Sequence, residues 1–285
     1  MIEVSSLAFT YPGGSIPAVD DLTFHIAPGE VFGFLGPSGA GKSTTLSILI
    51  GLLRGWTGDV RVAGRELGKW GPDYYRRIGV SFEYPNHYLK LTARENLEYF
   101  RSLHDGKAET VDDALAMVSL DGHADQPVLE FSKGMKMRLN LARSLLHRPD
   151  IWFLDEPTTG LDPVNAVRIR ELIRARQRSG TTTLVATHDM NTAEAVCDRL
   201  GFIVDGKIAA IDAPAAFRRR HGKRVVEVRW EGDDGLEATE QFPLQGLSTN
   251  ARFLELLPSP GLLSIHSLEA TLEDVFVHVT GKALR

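Results

Sequence analysis

The chain has 285 residues, 43% hydrophobic and 24% charged, which leaves room for one large globular domain and a small second one. A formal net charge of −5 supplies no global basic field and argues against nucleic acid as a partner. The lone Cys197 excludes an intramolecular disulfide framework, and no stretch reaches the roughly 18 uninterrupted apolar residues that a spanning helix needs. The opening MIEVSSLAFT has neither the basic start nor the apolar run of a secretory signal. VFGFL (Val31–Leu35) is short and wholly apolar, as buried parallel strands are. The apolar run Leu46–Leu53 is expected to be a buried core helix. IGVSF (Ile78–Phe82) is the next strand, and Thr92 with Glu95 forms a T-x-x-E capping box that opens a helix. Between Phe82 and Ile151 the strand signal lapses into helical pattern, which predicts an inserted helical subdomain over about residues 84–148.

IWFLD (Ile151–Asp155), TTLVAT (Thr182–Thr187) and LGFIVD (Leu200–Asp205) resume the strands, with Asp162-Pro163 as cap and first position of a helix between them. The expected core is an open, mostly parallel α/β domain. Composition shifts near Ala213–Gly222. There FRRRHGKR (Phe217–Arg224) reads as a solvated linker, with contact to anionic lipid headgroups as the alternative. Beyond it VVEVRW alternates like a half-exposed strand, LPSPG makes a turn and LLSIH a further strand. Leu272, Val275, Phe276 and Val279 then mark an amphipathic helix after a Thr271 cap. The expected division is 1–220 and 221–285, the second part a small C-terminal α/β appendage.

GPSGAGKS matches G-x-x-x-x-G-K-[ST] and stands where a phosphate loop should, after a strand and before a helix. Gly36, Pro37, Ser38, Gly39, Ala40 and Gly41 let successive backbone N–H groups cradle phosphate oxygens, together with the helix N-terminus that continues into Thr44. Lys42 is placed to reach the β- and γ-phosphates and Ser43 to give an oxygen to Mg²⁺. In IWFLDE the buried strand presents Asp155, suited to Mg²⁺ through water, and Glu156, suited to orient or deprotonate an attacking water. A kinase has no need of a water-activating carboxylate here, and the N-K-x-D motif of a GTPase is absent.

The order GPSGAGKS, FSKGMKMR, IWFLDEP, TTGLD and ATHD resembles the ATP-binding-cassette (ABC) ATPase family over about residues 1–215. The resemblance implies a P-loop NTPase core, with two ATP molecules sandwiched in a dimer of ATPase subunits. It implies that Ser132 and Gly134, in the signature segment FSKGM, face the γ-phosphate held by the opposite subunit. Lys133 and Met135 depart from the commonest form of that segment, and the Ser-Lys-Gly-Met variant resembles bacterial drug exporters. By the same resemblance His188 contacts the γ-phosphate and links it to Glu156, Asp162 reports across the dimer, and Tyr11 stacks on adenine. Glu83 stands where the family has a Mg²⁺-ligating glutamine. The aromatic run Tyr84, His87 and Tyr88 beside it suits either a coupling helix of a membrane subunit or the core of the helical subdomain. The tail ATLEDVFVHVTGK is similar to the end of bacterial multidrug-export ATPases of the daunorubicin-resistance type.

The implied function is therefore an ATPase subunit at the cytoplasmic face of the cell membrane. It couples ATP hydrolysis, with Mg²⁺, to export of a drug-like or lipid-like substrate through a separate transmembrane permease. The alternatives are a soluble ABC ATPase acting as an ATP-gated regulatory dimer and an ABC importer motor.

Overall fold

Apolar runs without alternation bury on both faces, while alternating runs bury on one. The computed structural model of the chain follows that division and describes every residue except 105–107, 222–224, 233–234, 269 and 284–285. It begins with β1 (Ile2–Phe9), β2 (Val19–Ile26), β3 (Val31–Leu35), α1 (Lys42–Leu49), β4 (Thr57–Val62), β5 (Arg65–Glu66) and α2 (Asp73–Arg77). Next come β6 (Ile78–Ser81), α3 (Ala93–Ser102), α4 (Val111–Met117), α5 (Lys133–Leu145), β7 (Ile151–Asp155) and α6 (Pro163–Arg178). The first unit closes with β8 (Thr182–Thr187), α7 (Met190–Val196), β9 (Arg199–Val204) and β10 (Lys207–Asp212).

β3, β7 and β8 are buried at every residue and form the middle of a six-stranded sheet of order β10-β9-β3-β8-β7-β6. All its pairings are parallel except β10 with β9. The parallel strands therefore end at one edge, and the loops after β3, β6, β7 and β8 share it. A second, antiparallel sheet of order β2-β1-β4-β5 packs against the first through Phe24, whose ring lies 5.6 Å from Phe32 and 5.0 Å from Phe34. α3, α4 and α5 fill the span between β6 and β7, and α3 carries the expected Thr92–Glu95 capping box. Leu46, Ile48 and Leu49 of α1 are buried in the core, as their run predicts.

The second unit, Pro214–Ala283, starts at α8 (Pro214–His221), ahead of the division expected at residue 220. FRRRH is the second half of that helix rather than a linker. Phe217 is buried, and His221 lies 5.5 Å from His278 of α10 (Leu272–Thr280), so the basic residues stand on a helix that is packed in place. Gly222, Lys223 and Arg224 of the same motif lie outside the described residues. β11 (Val225–Glu231), β12 (Glu237–Pro243) and β13 (Leu262–Leu268) form an antiparallel sheet of order β12-β11-β13, with α9 (Ala251–Leu256) between the last two in sequence. Its core holds Val226, Val228, Phe242, Phe253 and Leu256. Thr271 caps α10 with Asp274 as the reciprocal partner.

Candidate nucleotide-binding site

The loop from Gly36 to Gly41 leaves β3 at the shared edge and runs into α1. Glycine is required at both its ends. A Cβ on Gly36 would stand 2.1 Å from the Ile203 carbonyl oxygen, and Gly41 combines a φ of +103° with a would-be Cβ 2.5 Å from the Ala18 oxygen. No side chain caps α1 and no acid occupies its first turn, so its leading N–H groups are left for an anion. Ser38, Gly39, Gly41, Lys42, Ser43, Thr44, Glu83 and Glu156 line one cavity of about 210 Å³ at this point. Pro37 accepts from the Ala40 N–H at 3.2 Å, which closes the turn of the loop. Tyr11 sits beside it, half-exposed, its hydroxyl 3.2 Å from Thr44 Oγ1 and its ring edge-on to Phe9.

Lys42 is buried, and its Nζ donates to the Gly36 oxygen at 2.6 Å and the Pro37 oxygen at 3.0 Å. Burial pushes its ammonium below the ordinary lysine range, against the opposing pull of the Glu156, Asp155 and Glu83 carboxylates. Asp155 accepts from Ser43 Oγ at 3.2 Å. Burial pushes Asp155 up to about 6, opposed by that hydrogen bond and reinforced by the charges of Glu156 and Glu83. Three carboxylates thus face one ammonium, an oxygen-rich set that suits a hard divalent cation. Among the described residues no three His, Cys, Asp or Glu side chains are grouped to hold a metal by themselves.

Glu156 follows β7 with a φ of +50°, a left-handed backbone that costs about 1–3 kcal/mol in a non-glycine residue and persists only where surroundings impose it. Here the surroundings are dense. Its N–H donates to Ala186 at 2.8 Å, and Oε2 accepts from Thr187 Oγ1 at 2.9 Å and Thr159 Oγ1 at 3.3 Å. Oε1 accepts from the His188 N–H at 3.0 Å and lies 2.7 Å from His188 Nδ1. A carboxylate only accepts, so Nδ1 carries the hydrogen and Nε2 is left available. Thr159 and Thr187 were not among the sequence candidates, although Thr159 lies within TTGLD and Thr187 within ATHD; their only signal is that membership.

Ser132, Gly134 and Asp162 do not line the cavity. Ser132 caps α5 by accepting from Met135 N at 3.2 Å, and Asp162 caps α6 by accepting from Asn165 N at 3.0 Å. A Cβ on Gly134 would stand 3.3 Å from Leu161 Cδ2, so the start of α5 adjoins the TTGLD turn. The aromatic run beside Glu83 is split: His87 is buried, whereas Tyr84 and Tyr88 are exposed.

His87 Nε2 lies 2.9 Å from the Lys136 carbonyl oxygen, which it must meet as a donor, and its Nδ1 is buried without a partner. Burial, with smaller contributions from Arg143 and Lys136, pushes the imidazole down from 6.5 to about 4. The unfolded chain then binds a proton that the folded chain rejects between those two values. Stability from neutral His87 is complete above pH 6.5 and is lost as pH falls toward 4, by on the order of 3 kcal/mol. The melting temperature should fall from pH 7.5 to pH 4.5, and His87→Gln should flatten that slope. An equal slope in both proteins would remove His87 as the cause.

Comparison with known proteins agrees with this geometry. Residues 19–159 match the ABC transporter family, and residues 224–269 match a family described as the fluoroquinolone efflux ABC transporter C-terminal domain. A fluoroquinolones export ATP-binding protein of Mycobacterium tuberculosis strain H37Rv is 49% identical over 284 residues, covering 100% of this chain and 94% of its own. A Nod factor export ATP-binding protein of Paraburkholderia xenovorans is 36% identical over 289 residues, covering 95% of each chain. An ATP-binding cassette solved as a dimer in a post-hydrolysis state with ADP and Pi has a TM-score of 0.69 and 28% identity, covering 75% of this chain and 98% of that one. The phosphate loop at the sheet edge, the carboxylates facing it and relatives matched over the whole length agree: the chain belongs to the ABC transporter family, as an ATP-binding subunit that hydrolyses ATP.

Proposed function

We propose that the chain is the motor of an exporter of drug-like amphipathic molecules, fluoroquinolones among them. Two ATPase subunits act at the cytoplasmic face of a membrane and drive a separate transmembrane permease. The observation that carries this reading is that similarity to a fluoroquinolone exporter ATPase extends over the whole chain, with its own family match in the second unit. No helix among the described residues is long and apolar enough to cross a membrane, so the translocation path belongs to the partner.

Gly36–Thr44 holds the polyphosphate of ATP, Tyr11 offers its ring to the adenine, and Lys42 turns from the loop carbonyls to the phosphates. Glu156 orients a water and takes its proton as the water oxygen bonds to the γ-phosphorus and ADP leaves. His188, held by Glu156 through Nδ1, presents Nε2 toward the transferred group. Ser132 and Gly134 act on the ATP of the opposite subunit, and Asp162 lies beside that contact. This division accounts for their place outside the chain's own cavity. Ser43, Asp155 and Glu83 would hold Mg²⁺, which would supply charge neutralisation to the phosphoryl group.

The test is expression with a membrane partner in a host lacking its own efflux, followed by accumulation of a fluorescent fluoroquinolone. The wild-type pair should lower accumulation and the same pair carrying Glu156→Gln should not. Equal accumulation in both, with both proteins present, would sink the export reading while leaving the ATPase intact.

A further inference from the structure

Between the end of β6 at Ser81 and the start of α3 at Ala93 the chain forms no helix or strand, only bends, a turn and one bridge at Thr92, and Glu83 lies in that span. One face of α5 holds it. Lys136, Asn140 and Arg143 recur at i, i+4 and i+7, the spacing that stacks residues along one side of a helix. Asn140 is wholly buried, and its Nδ2 donates to Ser81 Oγ at 2.9 Å and to the Phe82 oxygen at 3.0 Å, the carbonyl just before Glu83. Its Oδ1 accepts from Arg143 Nη2 at 2.6 Å. Arg143 Nη1 in turn donates to the Asn86 oxygen at 2.5 Å, and its guanidinium lies 4.6 Å from the Phe100 ring. The Lys136 carbonyl takes the third hold, on His87.

The segment is thus gripped at residues 81–82 and again at 86–87, and Glu83 stands between the grips on the wall of the cavity with Lys42 and Ser43. An apolar face could press on this segment but could not fix its direction. A buried amide with both ends bonded does, because any displacement of the segment leaves amide and carbonyl unpaired.

We propose that Asn140 and Arg143 are positioning residues for Glu83. Through this buried amide–guanidinium pair, the helix capped by Ser132 sets where the Glu83 carboxylate stands beside the phosphate loop. The geometric part stands alone; the consequence for nucleotide binding rests on Glu83 facing Mg²⁺.

Two measurements on the full chain test the two parts separately. In hydrogen exchange, Asn140→Ala should speed the amides of 82–88 by about tenfold or more, because it removes both hydrogen bonds from Asn140 Nδ2 to Ser81 and Phe82, while those of 36–44 keep their rate. Unchanged exchange over 82–88 overturns the proposal. ATP is then titrated with and without Mg²⁺. Asn140→Ala should lower the ratio of the two affinities several-fold, in the same direction as Glu83→Gln, and should add nothing in the Glu83→Gln background. An equal effect in both backgrounds shows that Asn140 does not act through Glu83 and also overturns it. A ratio left unchanged by Glu83→Gln alone, with faster exchange over 82–88 in Asn140→Ala, removes Glu83 from the metal and leaves the positioning intact. Should Asn140→Ala fail to fold, Arg143→Lys keeps the charge but loses the fork that spans Asn86 and Asn140, and must show the same exchange pattern.

Discussion

Glu156→Gln is expected to keep ATP affinity and to lose phosphate release by about 10²–10⁴-fold, the usual loss when a general base is removed. The surroundings of Glu156 explain why binding and fold survive. The amide oxygen can take the Oε1 position and accept from the His188 N–H and Nδ1. The amide nitrogen then meets the hydroxyls of Thr187 and Thr159, which can turn to accept. The left-handed backbone at residue 156 is held by the hydrogen bond to Ala186, which the substitution leaves alone. What the amide cannot do is take a proton from water. On the proposed function hydrolysis is the step that lets two subunits separate, so the variant is expected to accumulate as an ATP-bound dimer in light scattering. Phosphate release at the wild-type rate with Mg²⁺-ATP would show that Glu156 is not the base.

Lys42→Ala is expected to weaken ATP binding by about 100-fold or more, the equivalent of roughly 3 kcal/mol for charge-assisted hydrogen bonds to phosphate. Two losses add. The phosphates lose their ammonium, and Asp155, Glu156 and Glu83 are left with no cation among them to offset their repulsion of a polyanion. Asp155 should move further up from about 6, since the Lys42 charge that now lowers it is gone. Lys42→Arg should not restore binding. The space between the Gly36 and Pro37 carbonyls admits one ammonium, and a planar fork is larger and differently directed. Calorimetry with ATP checks both, and wild-type affinity in Lys42→Ala would place the phosphates elsewhere.

Much of this site was legible in the residue order because its parts are local. A phosphate loop is one strand, one turn and one helix start. The caps at Thr92, Asp162 and Thr271 each bond three residues along the chain, and the structure has all three. The buried runs of β3 and β7 were readable from apolar content, and β8 from an apolar centre flanked by β-branched threonines, since a strand covered on both faces needs no alternation. Other elements were hidden for equally physical reasons. In β12, Glu237, Thr239, Glu240 and Gln241 crowd a strand in which Phe242 alone is fully buried, so its pattern says loop. The β1-β2 and β1-β4 pairings contain register shifts that break their period. FRRRH looked like a solvated linker because three arginines outweigh one phenylalanine in composition, while in the fold Phe217 is buried on α8.

The residue types and spacing of the sequence by themselves determined which groups the site presents: a glycine loop between a strand and a helix, a hydroxyl, an ammonium and carboxylates. Only the tertiary structure decided what holds those groups still. Thr187 meets Glu156 across 31 positions of the chain, and Asn140 reaches Ser81 across 59. Neither separation leaves a periodic trace in the sequence, because contacts between neighbouring strand ends, or between a strand end and a helix face, are set by how the parallel sheet brings its edge together.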